Sequence, residues 1–401
     1  MLSAYLYEGL RTPFGRHAGV LAKVRPDDLL ADVMRAVMKK SAFKPEQIED
    51  IIVGCANQGG EDSRCVARHA GLVAGLPIET PGTVLQRNCA SGLGALVHAA
   101  HAITAGEGEV FIVGGVESMS RSPWVLAKAE SAYSRAQPMF DSTIGWRFPN
   151  PRFLKAFGDD SMSDTADNVA QEHGITRADS DAYAYASQQR YARARADGFF
   201  QDEILPVEVP AARRKDPPIS VREDEHPRPD TTLEQLAKLT ALRQGGVVTA
   251  GNASGINDGA GALLIGSREL GYKLGLKARA RILSGAVAGV EPRIMGLGPV
   301  AASQKVLQRA GLSLKDMDVI EINEAFAPQV LGCLKLLNLA YDDPRVNPNG
   351  GAIAIGHPLG ASGIRVILTA LRQLELIEGR YALVSLCIGI GQGIAVVLER
   401  D

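Results

Sequence analysis

Cys89, Cys387 and His357 are the residues of this chain best equipped for chemistry, and each lies among glycines. The segment Asn88-Cys89-Ala90-Ser91-Gly92-Leu93 puts the first thiol where a helix is expected to begin, because Leu93, Leu96, Val97, Ala100 and Ile103 recur at helical spacing. The positive end of a helix dipole favours thiolate at such a place. Cys387 follows the apolar run 381–386 and precedes Ile388-Gly389-Ile390-Gly391-Gln392-Gly393, the pattern of a buried strand opening into a tight turn. His357 sits in a stretch with five glycines from Gly350 to Gly363. That density implies a backbone held close to another group. One nucleophile, one base and one further proton carrier point to acyl transfer through a thioester.

Plainer readings stand beside these. A free cysteine is most often a small buried apolar residue, and Cys387 taken alone reads as packing at a strand end. Cys55, Cys65 and Cys333 lack a glycine turn at a helix start and read as core or surface thiols. His98 and His101 have helical spacing but no third ligand nearby, so they are expected to be solvated or packed and to hold no metal. The run Gly389 to Gly393 is similar to a dinucleotide loop, yet another strand-like run, Ile394 to Leu398, follows where a helix should begin, which argues against a nicotinamide site. Asn323 ends the strand-like Val319 to Ile322, a position from which α/β folds present functional side chains; a helix cap is the ordinary alternative.

The elements that must position these residues belong to an ordinary globular chain of 401 residues, 46% hydrophobic and 22% charged. A formal net charge of -2, a pI near 6.4 and 5% aromatic residues give no electrostatic case for nucleic acid. No apolar run approaches the roughly 20 residues of a membrane span, and Met1 to Arg16 offers no signal-peptide core. Five cysteines without paired short spacings argue against a disulfide framework and for a reducing compartment, so the expected location is cytoplasmic.

A weak internal repeat organises the chain. Ala90-Ser91-Gly92 matches Ala361-Ser362-Gly363 at a displacement of 271 positions, and the same shift superposes Ala99 on Ala370, Glu107 on Glu378, Gly108 on Gly379 and Val113 on Val384. Residues 37–51 resemble 306–320 at a displacement of 269. Two related α/β halves follow from this, 1–118 with 250–270 and 271–401. The unmatched segment 119–249 carries the clusters Arg213-Arg214-Lys215-Asp216-Pro217-Pro218 and Glu223-Asp224-Glu225-His226-Pro227-Arg228-Pro229, read as loops, and an expected helix from Arg177 to Asp197 capped by Thr176. It reads as an inserted lobe lying over the active site.

Taken in order, Asn88-Cys89-Ala90-Ser91-Gly92, Gly114-Gly115-Val116-Glu117-Ser118-Met119-Ser120, Thr249-Ala250-Gly251-Asn252-Ala253-Ser254-Gly255, Asn323-Glu324-Ala325-Phe326, Gly356-His357-Pro358 and Cys387-Ile388-Gly389 resemble the thiolase family across essentially the whole chain. The resemblance implies a thiolase fold: two βαβαβαββ halves in a layered α-β-α-β-α core, an inserted loop domain, and assembly as a homodimer or homotetramer. It implies Cys89 as nucleophile, His357 as its base and Cys387 as the group that handles a carbon-bound proton. The N–H groups of Cys89 and Gly389 would hold one oxyanion; His357 and a water placed by Asn323 would hold the other. Acyl-CoA, coenzyme A and acetyl-CoA are then substrates, with no permanently bound cofactor and no metal. Arg228 is a candidate for phosphate contact, and Met162, Ser254 and Phe326 match positions lining the pantetheine.

Residues 139–148, Asn57 to Asp62 and Ala288 to Arg293 narrow the resemblance to β-ketoadipyl-CoA thiolases of aromatic-compound degradation, with a general 3-ketoacyl-CoA thiolase or acetyl-CoA acetyltransferase as the alternative. Arg147 is a candidate partner for a terminal carboxylate. Asn88 in place of an apolar residue, Ser163 near a usual glycine and Ile390 within a glycine pair depart from the family pattern. A decarboxylating ketosynthase would not need Cys387, and an inactive CoA-binding protein would tolerate loss of Cys89 or His357.

Overall fold

The repeated stretches fold alike in the computed structural model, which describes every residue except Ala212, Arg214 and Asp401. Arg214, part of the first expected loop cluster, thus lies outside the described residues. Helix Pro26–Lys40 begins with proline, carries Asp27 and Asp28 in its first turn and Lys39 and Lys40 in its last, and so matches its own dipole. A single 3-10 turn then leads into strand Asp50–Gly54. Helix Gly298–Ala310, the turn Leu314–Asp316 and strand Val319–Ile322 repeat that unit. Helix Ser91–Ala105 with strand Val110–Ser118 is repeated as helix Leu359–Leu376 with strand Tyr381–Ile388.

The strands hydrogen-bond in the order Val319–Ile322, Tyr381–Ile388, Gln392–Glu399, Ala280–Gly289, Ala4–Arg11, Asn257–Gly266, Val110–Ser118, Asp50–Gly54 and Gly82–Leu85. The two groups of strands meet through the short pairing of Ala4 with Ile282, Tyr5 with Arg281 and Leu6 with Ala280. Folding about this short joint encloses Ser91–Ala105 and Leu359–Leu376, whose Leu93, Leu96, Ile103, Ile364, Ile367 and Leu371 share one core with both sheets. Helices Pro26–Lys40 and Val66–Ala74 cover one outer face, and Gly298–Ala310 and Ala327–Leu336 the other. The result is the α-β-α-β-α layering of a thiolase fold.

One strand of the second half is reduced. Where the repeat calls for a third strand, only the bridge between Ile320 and Val346 forms, with Ile320 N–H donating to Arg345 O and Asn347 N–H to Ile320 O. Pro344 and Pro348 flank it, and neither offers an N–H to extend the ladder.

The described residues of 119–256 contribute no strand to the large sheet. They form two small hairpins and the helices Pro151–Phe157, Met162–His173, Arg177–Ala196 and Leu233–Ala237. Thr176 caps the third of these by accepting from Asp179 N–H. Arg11, fully buried, ties this region to the sheet, donating to Glu203 at 2.7 Å and to both oxygens of Asp224 at 2.7 and 2.9 Å. Removing one partner of such a buried pair costs about 3–5 kcal/mol. No helix among the described residues is long and apolar enough to cross a membrane.

Candidate active site

Cys89 lies in the 3-10 turn Asn88–Ala90 immediately before helix Ser91–Ala105, and His357 stands just before helix Leu359–Leu376. The two helices cross at their first turns, where only glycine fits. A Cβ on Gly92 would lie 2.5 Å from the Gly360 carbonyl oxygen, and one on Gly363 only 2.2 Å from the Leu93 nitrogen. The crossing therefore brings together two positions 268 residues apart in sequence, each two residues ahead of its helix.

The surroundings of Cys89 differ from the helix-end expectation. Burial pushes the Cys89 thiol up to about 11, against opposing backbone hydrogen bonds from Gly389 and from Cys89 itself. Desolvation of a compact anion outweighs the dipole and the two donors. The thiol is thus neutral at pH 7, and chemistry at this sulfur would call for a base. Cys387 is fully buried near the end of its strand, packed with Met295 and Ala325 and flanked by Met162 and Phe326. Burial raises its thiol well above the ordinary range too, and Cys89 is near enough to add to the rise. Asn88 Nδ2 donates to Gly389 O at 3.1 Å, and Gln86 Nε2 donates to Asn88 Oδ1 at 2.8 Å. The departure from an apolar residue at Asn88 thus fastens the Gly389 turn beside Cys89.

His357 is buried. Its backbone N–H donates to Asn257 Oδ1 at 2.9 Å, Nδ1 lies 2.7 Å from Ser362 Oγ, and Nε2 has no hydrogen-bond partner among the described residues. Burial, with the Arg365 charge adding to it, lowers its pKa to about 3, so the ring is neutral throughout the working range. Arg365, itself buried, pairs with Glu321 at 3.6 Å. Asn323 is buried at the end of its strand, its N–H on Ser385 O at 3.0 Å and neither side-chain atom partnered among the described residues. It is no helix cap. The adjacent Glu324 accepts from Tyr183, Ser187, Asn347 and the Ile353 N–H, which fixes this loop against helix Arg177–Ala196.

Sequence reasoning passed over Glu117, which joins the two halves of the site. Its buried carboxylate accepts from the N–H groups of Ala56, Asn57 and Gly360 at 3.0, 3.0 and 2.8 Å. Burial raises it to about 7 despite these donors. Cys55 and Asp62 are grouped with it closely enough to hold a metal ion, but the backbone donors already occupy both Glu117 oxygens. An acid inside the apolar strand Val110–Ser118 was the available signal. Cys65 precedes helix Val66–Ala74 without a glycine turn, with its half-buried thiol donating to Gly82 O at 3.1 Å. Cys333 is buried.

Met162 and Phe326 pack against the cluster that holds Cys387 and Ala325, and Ser254 N–H donates to Ala325 O at 2.9 Å. Arg228 lies apart, exposed, held by its backbone N–H on Gln188 Oε1 at 2.9 Å and with its guanidinium free of hydrogen bonds to the described residues. A narrow cleft bordered by Trp146, Phe153, Met162, Pro292, Arg293 and Ile390 opens beside the Gly389 turn. Arg147 donates to Ser142 O at 2.9 Å, and Ser142 O also accepts from Asn57 Nδ2 at 3.0 Å.

Residues 5–269 match the family model for the thiolase N-terminal domain, and residues 276–400 the model for the thiolase C-terminal domain. The chain is 56% identical over 402 residues to the 3-oxoadipyl-CoA/3-oxo-5,6-dehydrosuberyl-CoA thiolase of Escherichia coli (strain K12), covering 100% of each. It is 55% identical over the full length of both chains to a beta-ketoadipyl-CoA thiolase of Acinetobacter baylyi. The human mitochondrial 3-ketoacyl-CoA thiolase in complex with CoA superposes with a TM-score of 0.91 at 39% identity, over 100% of this chain and 98% of that one.

Proposed function

The chain belongs to the thiolase family and is an acyltransferase, and on that premise we propose that it cleaves 3-oxoadipyl-CoA with free CoA into acetyl-CoA and succinyl-CoA. One observation carries the catalytic part of the reading: Cys89, the Gly389 turn and Cys387 converge, while His357 presents an unpartnered Nε2 from the helix that crosses the nucleophile's own.

His357 Nε2 takes the Cys89 proton as sulfur attacks the 3-keto carbon, and the N–H groups of Cys89 and Gly389 receive the new oxyanion. A well-placed donor in such a site is worth about 3 kcal/mol of barrier. The carbonyl re-forms, the C2–C3 bond breaks, and the acetyl-CoA enolate holds its charge on the thioester oxygen, facing His357 and a water held by Asn323. Cys387 then gives its proton to C2, a step worth roughly 100- to 10,000-fold. Acetyl-CoA leaves. The Cys387 thiolate takes the thiol proton of incoming CoA, whose sulfur removes the acyl group from Cys89. The Cys89 thiolate recovers its own proton from His357. Condensation runs the same steps backwards, with Cys387 abstracting the C2 proton. Its neutral, strongly raised thiol suits that task better than it suits acylation.

Arg228, Ser254, Met162 and Phe326 are assigned to CoA, Arg228 to phosphate and the others to pantetheine. The halves 1–118 with 250–270 and 271–401 supply the chemistry, and 119–249 the CoA-facing lobe. Five free cysteines support a cytoplasmic setting. The open edge strand Gly82–Leu85, beside exposed Leu72, Val73 and Ile78, supports a homodimer, and the exposed Trp124, Leu126 and Met139 of the lobe hairpin support a homotetramer.

The substrate's free carboxylate must meet a donor, since leaving it unpaired costs several kcal/mol. Two arginines come into question: Arg293 borders the cleft, and Arg147 follows Trp146, which also borders it. Arg293 is already paired with Glu172 and has Asp160 and Glu291 close by. Arg147 gives one nitrogen to a neutral carbonyl and the rest to nothing among the described residues, so it is the better carboxylate partner. Accordingly, 3-oxoadipyl-CoA should exceed acetoacetyl-CoA and 3-oxohexanoyl-CoA in kcat/KM by at least about tenfold, or roughly 1.4 kcal/mol, and Arg147→Ala should shrink the gap. A preference for the uncharged chains would make this a general 3-ketoacyl-CoA thiolase.

A further inference from the structure

We propose that Ser362 is a positioning residue that holds His357 in its Nδ1–H tautomer, so that Nε2 is the bare ring nitrogen offered to the nucleophile. Ser362 is fully buried one helical turn beyond the histidine. Its Oγ lies 2.7 Å from His357 Nδ1 and 3.0 Å from the Pro358 carbonyl oxygen. A hydroxyl has one proton. If that proton goes to the carbonyl, which can only accept, Nδ1 must be the donor across the other contact. The Pro358 carbonyl also receives the N–H groups of Ala361 and Ser362, so its own needs leave the direction open.

The internal repeat supplies a precedent for the direction, with both partners one residue further upstream at Ser362 than at Ser91. Ser91 is the counterpart of Ser362 at the displacement of 271, and there the polarity is unambiguous. The Arg87 backbone N–H donates to Ser91 Oγ at 2.9 Å, and Ser91 Oγ donates to Asn88 O at 2.7 Å. Each serine bridges an upstream nitrogen to an upstream carbonyl, around the nucleophile in one half and around the base in the other. Carrying the Ser91 polarity to Ser362 puts the proton on Nδ1. The ring stays neutral near pH 7 because of its burial and of Arg365, so the question is which tautomer is present and not whether the ring is charged. Without the serine, the Nε2–H form would compete, and that form offers no lone pair to the Cys89 proton.

The inference rests on the reading of His357 as the base, and the test separates the two. Protein labelled with 15N-histidine, with His357→Asn used to assign the resonance, should show His357 Nδ1 as the protonated, pyrrole-like nitrogen and Nε2 as the pyridine-like one. Ser362→Ala should mix the two forms and slow Cys89 alkylation about two- to fivefold, in proportion to the lost tautomer. Ser362→Thr, which keeps the hydroxyl, should restore both readouts. A pyrrole-like Nε2 in the unsubstituted protein overturns the proposal without recourse to any folded variant, as does an unchanged tautomer in Ser362→Ala. Unaltered alkylation in His357→Asn would instead remove the base role and leave the tautomer finding standing.

Discussion

Replacing Gly363 by alanine should damage catalysis far more than it damages stability. The added Cβ would lie 2.2 Å from the Leu93 backbone nitrogen, with Gly92 C at 2.9 Å and Leu93 Cα at 3.0 Å, so no flexible side-chain tip can yield. Restoring ordinary contact requires the crossing helices to separate by about 1 Å, and overpacking of this kind costs about 1–3 kcal/mol. The same separation moves His357 away from Cys89, and a misplacement of that size costs on the order of 100-fold in rate. The assay is kcat/KM for thiolysis together with the rate of Cys89 alkylation by iodoacetamide, both set against the denaturation midpoint. Gly71→Ala is the control, since its Cβ would meet the Ile51 Cδ1 side-chain tip at 2.3 Å in an outer layer. It should destabilise comparably and leave kcat/KM within about threefold. Wild-type kcat/KM and alkylation in Gly363→Ala would refute the claim that this crossing sets the catalytic geometry.

Because burial raises the Cys89 pKa, its alkylation should keep rising with pH through about pH 8 to 10, beyond the ordinary thiol value of about 8.5, and a plateau already reached below pH 7 would mean a resting thiolate. His357→Asn should slow alkylation near neutral pH and shift the rise further upward; an unchanged profile would exclude it as the base. Cys387→Ala should still be acylated at Cys89 but lose exchange of the acetyl-CoA methyl protons with deuterated solvent by about 100-fold or more, and wild-type exchange would end the assigned division of labour. Glu117→Ala should lower the unfolding free energy by about 2 kcal/mol or more, as three buried N–H groups lose their acceptor; denaturant titration showing no loss would contradict its role as a clamp.

Local patterns carried much of the architecture. The apolar spacing from Leu93 to Ile103 places helix Ser91–Ala105, Thr176 and Asp179 announce the start of Arg177–Ala196, and the repeat locates both helices of the central layer. The placement of Cys89 before a helix and of His357 in a glycine-rich loop was legible because both are properties of contiguous residues. What stayed hidden depends on groups meeting across the fold. The helix dipole at Cys89 is a sequence-local effect, but the desolvation that overrides it comes from segments hundreds of residues away. Glu117 is one acid in an apolar strand until Ala56, Asn57 and Gly360 turn their N–H groups toward it. Arg147 and Arg293 are equal as cations in the sequence, and only the carboxylates around Arg293 distinguish them. The shortened third strand of the second half reflects Pro344 and Pro348, which a repeat-based reading overlooks.

The central claim is that Cys89, and not the neighbouring Cys387, carries the acyl group. Brief incubation with 3-oxoadipyl-CoA without free CoA, followed by acid quench, proteolysis and mass spectrometry, tests it directly. The account predicts one succinyl mass, labile to hydroxylamine, on the peptide containing Cys89 and none on the peptide containing Cys387. A label confined to Cys387 would contradict it.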